Sequence, residues 1–467
     1  MLYKKSAVEI VALLRKKELS SLDVVKESIE RIEKIDSTIN ALPEKIFDQA
    51  IRKAKNFDFK SHKENHKSLL GLPIAVKDYN HVGGAPTTFG SVIFRDNLVS
   101  KSDATVSTLE SNGAIPIAKS NVPEWAGGHT DNPVYGFTRN PWDTKKSVGG
   151  SSGGSAAALA TGQVWLATGN DLGGSLRTPA AFNGIVGLRP TPGVVPRGKE
   201  YPTFDTLWVE GPMARNIEDL ALMLDAGSGN HKYDPLSFNH PCTSFLSATK
   251  NYFIPKRIAF SQNLNILPVE QEIAIVCESS LKKLSGLNIE FTEEIPNFKG
   301  SIEAFHTLRG VLMATMMDDL IKDHSANIPE HIRKNAEYGL KVSNKKIIQA
   351  EKLRWHLNHE INQFFKTHDF LICPATSVSP FPLEEPFVSE INGVPCKTYI
   401  DWFAITFILT LTGCPILTVP CGLTKKGLPI GLQIVSKPKS EDTLLSFGKL
   451  IQDTFNFNHM LPINPKN

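Results

Sequence analysis

The stretch from Gly149 to Pro190, GGSSGGSAAALATGQVWLATGNDLGGSLRTPAAFNGIVGLRP, decides how this chain is read. Two Gly/Ser-rich turns, GGSSGG and DLGGS, bracket an Ala-rich helix and one short strand. Glycine serves where backbone must bend through positive φ or approach a ligand closely. Serine is the smallest side chain that can act as nucleophile or proton relay. At ordinary Gly and Ser usage GGSSGG arises by chance at roughly 10⁻⁷ per position, so its pairing with a second such turn marks a site rather than a bias of composition.

Outward from this segment, short apolar runs (PIAVKD, AIPIAKS, VWLATG) alternate with helical stretches, the pattern of an α/β layered sheet. Residues 6–55 read as two helices, the first opened by a capping box from Ser6 to Glu9. Periodicity weakens between Pro235 and Pro255. RIAFS, a helix through Glu278 to Leu287, and NIEFTEE then suggest a further βαβ-like unit. Residues 300–365 read as mainly helical, with Met313, Met316 and Met317 on one apolar face. FLICPAT, ILTVPCG and PIGLQIV return to strands, so the two ends of the chain are expected to share one sheet. The uncharged stretch Trp402 to Thr424 is long enough to span a bilayer. Its Gly413, Pro415 and Pro420 instead predict a buried helix ending near Gly413, followed by the strand ILTV, and no membrane partner is expected.

The chain has 467 residues, enough for a large core, and 51 Lys+Arg against 48 Asp+Glu leave a formal charge of +3. No basic field implies a nucleic-acid partner. The six cysteines form no CxxC pair and fall in apolar runs, which reads as buried, reduced thiols suited to the cytoplasm. The N-terminus interleaves charges every few residues and lacks the apolar stretch of a secretory signal.

Several motifs compete with the glycine turns. GAIPIAKS, Gly113 to Ser120, resembles a phosphate-binding loop but has Ala118 where that loop needs Gly, and its isoleucines make it a strand. SxxK occurs at Ser247/Lys250, Ser279/Lys282 and Ser343/Lys346, which read as surface lysines. His356 and His359 lie one turn apart beside Glu360; a solvated helix face explains them better than a metal site, and no metal or cofactor is expected. Gly149 to Gly153 fits the GxSxG nucleophile elbow, which would make Ser151 the nucleophile but leaves DLGGS unexplained.

GLPIAVKD at 71–78, GGSSGGSAAA at 149–158 and GNDLGGSLRTPAAFNGIVGLRPT at 169–191 closely resemble the amidase signature family. TDNPVYGFTRNPWD, GPMARNIEDLALMLD and GLPIGLQIV extend the resemblance along nearly the whole chain, most weakly over about 235–365. It implies one domain over residues 1–467, an α/β/α fold with a large mixed β-sheet between helices, and a variable, mainly helical substrate side at about 235–365.

The resemblance also implies a Ser-cisSer-Lys triad. Ser175 of DLGGS would be the nucleophile, Ser151 the bridging serine on a cis peptide after Gly150, and Lys77 of AVKD the base. A serine attacks only if its proton is removed as the bond forms, and a lysine does this once burial and positive surroundings lower its pKa from about 10.4. Backbone N–H groups of Leu172, Gly173, Gly174 and Ser175 would hold the oxyanion. Ser152, Asn170, Asp171 and Arg177 are read as supports, the last two as an ion pair, with Asn170 standing where Thr or Ser is commoner in the family. Asp78 is expected to turn toward backbone donors.

The implied activity is hydrolysis of a small-molecule carboxylic amide to the acid and ammonia or amine. The alternatives are the glutaminase component of a tRNA-dependent amidotransferase, its A chain, and, less favoured, a non-catalytic binding protein on this fold. Tyr135, Met317, Trp355 and Trp402 are the candidate pocket residues, and a homodimer is the base-rate expectation.

Overall fold

A computed structural model describes residues 1–62, 64–65, 68–198, 201–242 and 244–466. Among them, eleven strands form one mixed sheet. From one edge the strands run Glu44–Lys45, Ile115–Ser120, Pro73–Lys77, Leu166–Asp171, Val209–Ala214 and Val186–Arg189. The sheet continues with Ile416–Leu423, Pro429–Val435, Phe370–Pro374, Arg257–Phe260 and Glu290–Thr292. N- and C-terminal portions therefore meet in one sheet, where Leu417 pairs with Leu188.

The glycine-rich segment occupies the middle of this sheet. Helix Gly153–Ala160 is wholly buried, because its alanines let it lie close to the strands while keeping high helix propensity. Strand Leu166–Asp171 runs parallel to Pro73–Lys77 on one side and antiparallel to Val209–Ala214 on the other. All three strands are buried along their length, which is why they read as apolar runs without alternation. Helix Arg177–Asn183 leaves the second turn and ends at Gly184 in the left-handed region.

The N-terminal reading needs one correction. Residues 6–55 contain three helices, Ala7–Arg15, Ser21–Ile39 and Phe47–Lys55, with the short edge strand Glu44–Lys45 between the last two. Asn40, left-handed at φ 56°, ends the second helix, and the chain passes through Leu42 and Pro43 to the sheet edge, where Glu44 pairs with Lys119. The Ser6–Glu9 capping box forms, with Glu9 N donating to Ser6 Oγ at 3.1 Å and Ser6 N to Glu9 Oε2 at 2.7 Å.

In the uncharged C-terminal stretch, helix Ala404–Thr410 is followed by Gly413 at φ 69° and strand Ile416–Leu423. No helix among the described residues is long and apolar enough to cross a membrane. Cys277, Cys373, Cys414 and Cys421 are buried, whereas Cys242 and Cys396 are only partly so, because both lie in loop segments outside the sheet.

Candidate active site

Lys77 ends a central strand, and its side chain is fully buried. Its Nζ lies 2.7 Å from Ser151 Oγ, 2.9 Å from Ser152 Oγ and 2.5 Å from Asn170 Oδ1. The Tyr79 ring sits beneath it, 5.1 Å from Nζ to the ring centroid. Burial lowers the Lys77 amine to about 7, while the carboxylates of Glu210 and then Asp171 act in the opposite direction. A neutral amine in this cage donates to Ser152 and Asn170 and keeps its lone pair for the Ser151 hydroxyl.

The first turn brings Ser151 to this amine. The Gly150–Ser151 peptide is cis, and a Cβ at residue 150 would collide with the Gly128 carbonyl, so only glycine fits. Ser152 occupies the N-cap of helix Gly153–Ala160, where serine ordinarily caps the helix. Here its hydroxyl makes no cap and instead meets Lys77 and, at 3.4 Å, the Asn170 carbonyl.

The second turn is held by Asp171. Its carboxylate accepts from Arg177 Nη2 at 2.9 Å and Nε at 3.0 Å, and from Arg189 Nη1 at 3.2 Å. It also accepts from the backbone N–H of Gly174 at 2.9 Å and of Leu176 at 3.1 Å. The two guanidiniums overcome the effect of burial and hold this carboxyl at about 2. Arg177 reaches on to the Thr406 carbonyl at 2.6 Å, and Thr406 Oγ1 donates to the Gly173 carbonyl at 2.6 Å, so helix Ala404–Thr410 clamps the turn from above. Gly174 stands at φ 133°, where a side chain would strike Thr406.

Ser175 is partly exposed between these two knots, and its hydroxyl makes no hydrogen bond among the described residues. Lys77, Ser151, Ser152 and Asn170 thus converge, whereas Ser151 and Ser175 are not hydrogen-bonded to each other. Of the four expected oxyanion donors, Gly174 gives its N–H to Asp171 Oδ1 at 2.9 Å. Those of Leu172, Gly173 and Ser175 make no hydrogen bond among the described residues.

Asp78 turns away from Lys77, as expected, and accepts from Thr88 N at 3.2 Å. Its chief partner is a cation, however, the buried Lys119 at 2.8 Å. Lys119 belongs to the strand Ile115–Ser120, the stretch that mimics a phosphate loop. The SxxK lysines Lys250, Lys282 and Lys346 are exposed, as are His356 and His359.

A cavity of about 500 Å³ is lined by Tyr79, Phe89, Trp125, Trp208, Met313, Met316 and Met317; Tyr79, whose ring lies under the Lys77 amine, joins it to the site, and neither Ser151 nor Ser175 borders it. Trp125, at φ 51°, stacks on Phe89 with ring centroids 5.8 Å apart. Helix Ser301–His324 connects the cavity to the second turn. Phe305 covers Gly173, and Met313 follows two turns further along the same helix, about 12 Å away. Three of the pocket residues read from the sequence fall elsewhere. Trp355 is 69% exposed on an outer helix, Trp402 is core packed among Phe182 and Phe381, and Tyr135 lies outside the cavity wall. Only contacts between distant segments separate these from Met317.

Three buried charges near the site escape a reading by motif: Lys119, Arg189 and Glu210. Glu210 interrupts an apolar strand, Lys119 lies near the end of one and Arg189 closes another, and a charge in such a run is the signal by which they could be found.

The amidase family profile matches residues 23–445, so the chain belongs to the amidase signature family. It is a hydrolase of amide carbon–nitrogen bonds. It is 31% identical over 446 residues to an acylamidase of Rhodococcus erythropolis, covering 94% of this chain and 93% of that protein. It is likewise 31% identical over 490 residues to the A chain of the glutamyl-tRNA(Gln) amidotransferase of Geobacillus kaustophilus, covering 99% of each. The crystal structure of a bacterial aryl acylamidase of the amidase signature family superposes with a TM-score of 0.90 at 28% identity over 99% of both chains.

Proposed function

We propose that this protein hydrolyses a carboxylic amide through an acyl-enzyme on Ser175, with Ser151 passing the proton to Lys77. The observation that carries this reading is the buried Lys77 amine held 2.7 Å from the Ser151 hydroxyl and lowered toward neutrality. Ser175 attacks the carbonyl carbon as its proton moves to Ser151 and the Ser151 proton moves to Lys77. The unpaired Ser175 hydroxyl joins this chain when substrate orders the site, as catalytic hydrogen bonds commonly do. The free N–H groups of Leu172, Gly173 and Ser175 supply donors for the oxyanion, each worth about 3 kcal/mol in the transition state. The lysinium then returns the proton through Ser151 to the leaving nitrogen, and water hydrolyses the ester.

A fluorophosphonate probe tests the assignment of the nucleophile. The expected adduct maps to the peptide containing Ser175, whereas an adduct on Ser151 restores the GxSxG reading and sinks this one.

The wall of aromatic and methionine side chains points to an amide that carries a sizeable apolar group, as in the aryl acylamidase whose fold this chain shares. Met316 is partly exposed on that wall, so Trp there fills space without disturbing core. Met316→Trp is expected to lower the ratio of kcat/KM for an anilide to that for acetamide by about tenfold or more. An unchanged ratio places the apolar group elsewhere.

The similarity to the amidotransferase A chain supports a second reading, glutamine hydrolysis for a partner. Glutamine's two methylenes are too small an apolar part to fill the cavity. Ammonia release from glutamine faster than from any anilide would favour that reading instead.

A further inference from the structure

Strand Val209–Ala214 carries a carboxylate in the middle of an apolar run, WVEGPM. Glu210 is fully buried and pairs directly with Asn170 on the neighbouring antiparallel strand. Directly opposed residues project from the same face of a sheet, with Cβ atoms about 5 Å apart. Asn170 is also the residue whose Oδ1 accepts from the Lys77 amine, so the residue paired with Glu210 across the sheet is one that touches the amine.

The carboxylate is held firmly. Its Oε1 accepts from Trp208 Nε1 at 3.0 Å and its Oε2 from Asn80 Nδ2 at 3.2 Å. The same Asn80 amide donates to Asp103 Oδ2 at 3.1 Å. Asn80 Oδ1 accepts from Thr168 Oγ1 at 3.2 Å, and Thr168 Oγ1 in turn accepts from the backbone N–H of Lys77 at 2.9 Å. A polar link therefore ties the acid to the strand that carries the lysine. Glu210 makes no ion pair within 4 Å among the described residues. The titratable groups facing it are Lys77, Asp103 and Tyr201, and burial together with the Asp103 carboxylate pushes the Glu210 carboxyl up to about 7. Asp171 is engaged by two arginines, and the backbone N–H of His81 is bound to Asp103.

We propose that Glu210 is a positioning residue for the reaction: in its ionised form it sets a negative charge on the strand beside Asn170, which offsets the burial of the Lys77 amine and helps that amine take the proton relayed by Ser151. A base works best when its pKa lies near the operating pH, and a fully buried lysine without a counter-charge falls well below it. Glu210 is the largest influence acting against burial at Lys77. This inference rests on the reading of Lys77 as the base.

The test is the pH dependence of kcat/KM for wild type, Glu210→Gln and Glu210→Asp. Wild type titrates two interacting groups near neutrality, whereas E210Q keeps only the amine and lacks the negative charge that favours its protonation, so the acid limb of E210Q is expected about one pH unit lower than wild type. Its plateau is expected several-fold lower, because the base is weaker. E210D keeps the charge and brings the limb back toward the wild-type position. An E210Q limb that superimposes on wild type overturns the inference. If E210Q does not fold, Trp208→Phe, which removes one donor to the Glu210 anion, is expected to move the limb in the same direction by less, and an unmoved limb there is equally fatal. Lys77→Ala keeps the two ideas apart. Full turnover in that variant ends the base assignment itself, whereas an inactive K77A with an unmoved E210Q limb ends only the role of Glu210.

Discussion

Ser175→Ala is expected to lose amide hydrolysis by a factor on the order of 10⁴ to 10⁶ in kcat/KM while its thermal melt stays close to wild type. The neighbouring Thr178 hydroxyl also lacks a hydrogen-bond partner, but it is buried, whereas that of Ser175 is partly exposed beside the free backbone donors, so Thr178 is a poor substitute. The fold is spared because the Ser175 hydroxyl is partly exposed and makes no hydrogen bond among the described residues, so its removal leaves no buried group unsatisfied. Residues that act as one unit are far from additive. Adding Lys77→Ala to Ser175→Ala should therefore cost little more than either alone. Retained turnover in purified Ser175→Ala, with contamination excluded by active-site titration, would falsify the acyl-enzyme.

Asp171→Asn should act on the opposite balance, with the larger effect on stability. The carboxylate neutralises two fully buried guanidiniums and accepts from two backbone N–H groups of the turn that carries Ser175. Removing one partner of a buried ion pair costs about 3–5 kcal/mol, since the remaining charge stays desolvated. The urea midpoint at pH 7 is expected to fall accordingly, and activity to fall with it as the turn loosens. The pH dependence has a definite sign. The folded-state pKa of about 2 lies below the ordinary 3.8, so the stabilisation is complete above the ordinary value and fades as pH drops through the folded one. The gap between wild type and variant should narrow below pH 4, and a variant as stable as wild type at pH 7 would show that the two arginines are balanced by other groups.

Local chemistry made much of this protein legible. The Ser6–Glu9 cap, the strand ending at Lys77, the buried Ala-rich helix and the break at Gly413 each follow from a few neighbouring residues, because capping, β-branching and positive φ are local properties. The cavity wall was legible in the methionine stripe Met313, Met316 and Met317, and among the candidate pocket residues only at Met317. Trp355 and Trp402 looked as suitable on paper, yet one faces water and the other is core, since neither sequence spacing nor residue type reports what packs against a side chain from a distant segment.

The same division runs through the site. From the sequence alone came the residue types: a lysine closing an apolar strand, serines in two glycine turns, and an acid and an arginine bracketing the second. Tertiary structure decided which of these touch and what charge each carries. Lys119 claims Asp78, Asp171 claims the Gly174 N–H, and Glu210 arrives beside Lys77 from 133 residues further along the chain, by strand pairing alone. Proton affinity depends on the distance to other charges and on the removal of water, and both quantities are set only when remote strands are laid side by side.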